Sequence, residues 1–131
     1  MELIKTKLND CFILKPTLHE DARGYFFESF NSKKFTEVTG LDVQFKQDNQ
    51  AKSNYGILRG LHFQKGEHAQ AKLVSVIKGK VIDVAVDMRP NSSTYLQHVA
   101  VELSESNHLQ LFVPRGFAHG YVVLEDNTRS E

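Results

Sequence analysis

Along most of the chain apolar and polar positions alternate in short runs, the period-two signature of half-buried strands. Residues 3–15 alternate loosely, with Leu3, Leu8, Phe12 and Leu14 apolar, and stop at Pro16. They predict one or two short strands at a sheet edge or shared with a partner protomer. Asp21-Ala22-Arg23-Gly24 is a turn signal, and an aromatic strand, Gly24–Phe30, follows it. On that strand Phe26, Glu28 and Phe30 would share one face, with the carboxylate between two rings. Asn31 or Ser32 is placed to cap a helix running through Phe35 and Val38 to Gly40. Alternation resumes at Val43 and Phe45 and passes into the polar run Gln47-Asp48-Asn49-Gln50, which suits either an exposed edge or the wall of a polar cavity.

Leu73–Ile77 and Val81–Asp87, joined through Lys78-Gly79-Lys80, have the pattern of a hairpin. Strands at 97–103 and 108–113 flank the turn Ser104-Glu105-Ser106-Asn107, and a rigid Pro114–Gly120 turn delivers His119 to the head of a strand Tyr121–Leu124. The polar residues 125–131 read as a frayed end. About nine short strands and one short helix indicate an all-β sandwich or barrel.

Composition narrows the function classes. At 131 residues the chain is about one domain long, and no internal repeat or linker divides residues 1–131. Sixteen basic and sixteen acidic residues balance, so no global field favours nucleic acid and a basic site must be a local cluster. One cysteine, Cys11, excludes an internal disulfide framework and suits a reducing compartment. The opening MELIKTKLND is too polar for a signal peptide, and no apolar run approaches the roughly 20 residues of a membrane span, so a soluble cytoplasmic protein without membrane contact is expected.

The candidate chemistry centres on Tyr55–Lys72, where Arg59, His62 and Lys72 interrupt an apolar, strand-like stretch. Charges on a half-buried sheet lose hydration, so three cationic groups there imply an anionic ligand. Neighbouring cations hold His62 neutral, the form that accepts a proton, while Lys72 is a compact donor for an oxyanion and Arg59 a planar phosphate clamp. Together they suggest proton abstraction beside a ketone on a phosphate-bearing substrate. Asp83, a carboxylate on an otherwise apolar strand where it shares a face with Val81, Ala85 and Asp87, is open to pairing with Lys72 or Arg59, a structural ion pair being the plainer use.

Six segments resemble, in order and through nearly the whole chain, the dTDP-4-dehydrorhamnose 3,5-epimerase family of the cupin superfamily. They are Asp21–Glu28, Gln47–Ser53, Leu58–Gln64, Ala69–Val74, Asp83–Arg89 and Val113–Gly120. The resemblance implies a cupin-type jelly-roll homodimer without cofactor, acting on a dTDP-4-keto-6-deoxyhexose. The protons at C3 and C5, acidified by the C4 ketone, would be removed and returned through an enolate. It implies catalytic roles for His62 as base and Lys72 as enolate support. Arg59 and Arg23 would bind the diphosphate region, and Phe26, Glu28, Gln47, Asp48, Asn49 and His119 would line the substrate site. Pro114-x-Gly116-x-x-His119 is similar to half of a cupin metal motif, but His62-Phe63-Gln64 lacks the second histidine of the other half, so no metal is expected. By the family pattern a general-acid tyrosine and an aspartate paired with the base would fall beyond Glu131, and residues 127–131 do not resemble the family's apolar strand there. The expectation is therefore a shortened epimerase, or a nucleotide-sugar-binding cupin with impaired or C3-only catalysis, in which Tyr121, Tyr55 and Tyr25 are the tyrosines at hand.

Overall fold

The computed structural model describes residues 1–43, 45, 49–64 and 70–131. Twelve strands and one helix follow in the order β1 (Glu2–Lys5), β2 (Phe12–Lys15), β3 (His19–Asp21), β4 (Gly24–Phe26), α1 (Ser32–Thr39), β5 (Ala51–Ser53), β6 (Leu58–His62), β7 (Lys72–Lys78), β8 (Lys80–Asp87), β9 (His98–Ser104), β10 (Gln110–Val113), β11 (Phe117–Val123) and β12 (Thr128–Ser130). They form a six-stranded sheet, β1-β2-β10-β7-β12-β5, a four-stranded sheet, β6-β11-β8-β9, and a separate β3–β4 hairpin. This is the all-β, cupin-type jelly-roll sandwich with one short helix that the sequence leads one to expect.

Strand alternation builds the layers. Val74 and Val76 of β7, Leu111 and Val113 of β10, Val81 and Ala85 of β8 and Leu103 of β9 fill the space between the two sheets. The opposite-parity residues Leu73 and Phe112 turn outward, where Phe112 meets Phe35 of α1 with ring centroids 5.2 Å apart. The helix thus forms a third layer on the six-stranded sheet. Asn31 caps it, its side-chain oxygen accepting from the Lys34 N–H at 3.0 Å, and Gly40 ends it at φ 73°.

Four expectations change. The aromatic strand stops at Phe26, and Phe30 turns away to pack on Phe35 and Phe45. Strands β7 and β8 are not a hairpin: one residue, Gly79, carries the chain from the six-stranded sheet to the four-stranded one. Its φ of 89° and its contact with Thr128, whose Cα would lie 2.9 Å from an added Cβ, leave room only for glycine. The C-terminal residues are not frayed. Thr128–Ser130 pairs with both β5 and β7, and Ser75 and Glu131 exchange backbone hydrogen bonds at 2.8 and 2.9 Å. Finally, His119 lies inside β11 rather than ahead of it.

Candidate active site

The candidate residues meet where β6, the exposed edge strand of the four-stranded sheet, pairs with β11. Ala85 of β8 is opposite His119 of β11, which in turn is opposite His62, the last residue of the edge strand β6. The same register sets Tyr121 opposite both Asp83 and Arg59. Because Val81 and Ala85 face the core, Asp83 between them does too, and it is fully buried. Its Oδ1 lies 2.6 Å from Nε2 of His119, itself only 7% exposed. The expected partners were Lys72 or Arg59; facing strands give the oxygen to His119 instead. Burial is the larger influence and raises the Asp83 carboxyl above its ordinary range, against the opposing pull of the His119 hydrogen bond and the charges of His119 and Lys72.

Lys72 approaches from the other sheet. As first residue of β7 it has the parity of Val74 and Val76, so its side chain shares the interior face, half-buried. Arg59 closes the site along β6: its Nε donates to Oγ of the buried Ser53 on β5 at 3.0 Å, linking the edges of the two sheets. The Ser53 contact was not legible in sequence, since no local pattern pairs a serine on one sheet with an arginine on the other. Of the three tyrosines, Tyr121 is beside His119, ring centroids 6.5 Å apart, whereas Tyr55 and Tyr25 are exposed.

The remaining candidates lie elsewhere. Arg23, at the β3–β4 turn, is 91% exposed and binds Asp21 at 2.7 Å. Phe26 is 72% exposed on the same hairpin, which rests on the body through Tyr25 and Phe27 against His108. Glu28 is ion-paired to Lys34 of α1 at 3.0 Å, and Lys34 together with Asn31 holds its carboxyl below the ordinary range. Asn49 lies just ahead of β5; Gln47 and Asp48 lie outside the described residues. Among the described residues no group of three or more His, Cys, Asp or Glu is arranged to hold a metal ion.

What the fold and site define is a cupin jelly roll that carries His62 and Arg59 on one edge strand, Lys72 on the other sheet, and a second histidine tied to the buried Asp83. A family profile for dTDP-4-dehydrorhamnose 3,5-epimerase matches residues 5–130. The chain belongs to that family. The enzyme of that name from Escherichia coli is 51% identical over 126 residues, covering 96% of this chain and 68% of the relative. The crystal structure of the Elizabethkingia anophelis enzyme superposes with a TM-score of 0.94 at 59% identity, over 99% of this chain and 71% of that one. The Legionella pneumophila enzyme, solved in complex with dTDP-4-keto-L-rhamnose, gives 0.94 at 44% identity, over 98% and 68%. The chain thus spans about two thirds of the length of the relatives it matches.

Proposed function

We propose that this chain epimerises C3 and C5 of a dTDP-4-keto-6-deoxyhexose in the dTDP-L-rhamnose pathway by removing and returning protons through an enolate. His62 is the base. Lys72, from the opposite sheet, stabilises the oxyanion that forms at C4 as the proton leaves. Arg59 holds the diphosphate, a planar donor suited to it, and His119 orients the sugar. The carrying observation is the register that sets His62 opposite His119, whose ring bonds the buried Asp83, with Lys72 of the other sheet near enough for its charge to act on that carboxyl. The dTDP-4-keto-L-rhamnose bound to the Legionella relative supports the substrate class.

Arg23, Phe26 and Glu28 reach substrate as part of a homodimer, in which a projecting β3–β4 hairpin serves the neighbouring site. Exposed apolar residues along β6, Leu58 and Leu61 among them, are consistent with a covered surface. Gln47, Asp48 and Asn49 complete the substrate wall. The reading is of a single domain in the cytoplasm, using no cofactor, nucleic acid or membrane, and supplying rhamnose for lipopolysaccharide or cell-wall polysaccharide. Among the described residues no helix is long and apolar enough to cross a membrane. The test is incubation with the 4-keto sugar nucleotide in D₂O. Deuterium at both C3 and C5, with the inverted product by NMR, is expected; no exchange at either carbon refutes the reading. Deuterium at C3 alone would narrow it to single epimerisation.

A further inference from the structure

Strand β8 presents two buried aspartates on one face, and they are built differently. Both oxygens of Asp87 are satisfied: Oδ1 accepts from Arg89 at 3.0 Å, and Oδ2 accepts from the Ser92 and Thr94 hydroxyls at 2.6 Å each. That is a structural ion pair. Asp83 gives Oδ1 to His119 at 2.6 Å and leaves Oδ2 buried with no hydrogen-bond partner. An orphaned carboxylate oxygen in a core is costly and adds nothing to stability. Beside the His119 imidazole from β11, which it contacts, the carboxyl lies within electrostatic reach of Lys72 from β7 and of the Cys11 thiol from the turn before β2.

We infer that Asp83 is a positioning residue of the epimerisation site, acting through His119 and resting on the epimerase reading above. With Oδ1 as the acceptor the hydrogen lies on Nε2 of His119, so in the neutral ring Nδ1 is the acceptor offered to a sugar hydroxyl. Oδ2 has no partner of its own, so the carboxyl's one hydrogen bond is the one directed at His119. The Asp83 side chain touches no reacting atom; it sets the tautomer of its neighbour.

The experiment combines nitrogen NMR with deuterium exchange on the whole chain. ¹⁵N-histidine spectra, with His119 assigned by its loss in H119Q, are expected to show the Nε2-protonated tautomer; an Nδ1-protonated ring overturns the inference and needs no Asp83 variant. D83N is expected to slow exchange at C3 by about tenfold or more in kcat, with KM within about threefold, because an amide can turn its N–H toward Nε2 and lose the tautomer while the shape is kept. D83E is expected to recover part of the rate. In the H119Q background D83N is expected to cost less than twofold, since its route of action is already gone. A D83N enzyme within twofold of wild type, or an equal loss in both backgrounds, overturns the inference. If the wild type itself exchanges neither hydrogen, the epimerase reading fails and this inference with it, whereas wild-type exchange with an unaffected D83N sinks the inference alone.

Discussion

Gly60→Ala is the perturbation whose effect follows most directly from how the site is assembled. Gly60 sits between Arg59 and the end of β6, at φ 109°, and a Cβ there would lie 2.6 Å from Cα of Gly120 and 2.8 Å from the carbonyl oxygen of His119. The backbone conformation alone costs an L residue about 1–3 kcal/mol. Ordinary contact begins at 3.4 Å. Being an edge strand, β6 can relieve the overlap by moving out from β11 by about 0.8 Å, rather than absorbing the full cost of overpacking. His62, two residues along, moves with it. A misplacement near 1 Å lowers a rate by up to about 100-fold. The expected result is a loss of about 2–4 kcal/mol in urea denaturation and of about 10- to 100-fold in deuterium exchange. Gly56→Ala is the control: its φ is 84°, but nothing lies within 4 Å of the added carbon, so it should lose stability without losing rate. A G60A chain exchanging at the wild-type rate, or a G56A chain equally slowed, would refute the reasoning.

Two stability predictions follow from the other buried groups. Arg89 bonds Asp87, Asp10 and the Asn9 carbonyl and lies 4.9 Å over the Phe117 ring, so Arg89→Ala should cost about 3 kcal/mol in chemical denaturation by leaving Asp87 buried and half-paired. Burial alone would raise the Asp87 carboxyl, but Arg89, Ser92 and Thr94 outweigh it and hold the group well below the usual range. Its contribution is therefore present above the unfolded value near pH 4 and lost as pH falls toward the folded one, and Asp87→Asn should flatten the acid limb of a stability-against-pH curve. Burial pushes the Cys11 thiol up to about 12, so the folded state keeps its proton where the unfolded state loses it. Stability should fall by about 1.4 kcal/mol per unit from pH 9 toward 12, and Cys11→Ala should remove that component; an unchanged slope would contradict it.

The periodicity carried the architecture a long way. Alternation separated Val81, Asp83, Ala85 and Asp87 from Ile82, Val84 and Val86 on β8, though it left open which face is buried, and Asn31 and Gly40 bounded the helix, because both signals are local. What failed depended on partners distant in sequence. Lys78-Gly79-Lys80 looks like a hairpin turn until Thr128 is seen filling the space beside Gly79. Polar Thr128–Ser130 looks loose until it is seen inserted between β5 and β7. The site divided along the same line. His62, Arg59 and Lys72 stood out as cations among apolar residues, but which atom Asp83 would hold was set by the register of β8 against β11, which no pattern within β8 encodes.

The central claim is that the ring of His62 takes the proton while Lys72, on the other sheet, supports the oxyanion. His62→Asn tests it most directly, with deuterium exchange at C3 and C5 measured beside calorimetric binding of dTDP. The account predicts that exchange falls by about 10²–10⁴ while affinity stays within about threefold. An H62N chain exchanging within tenfold of wild type would contradict it.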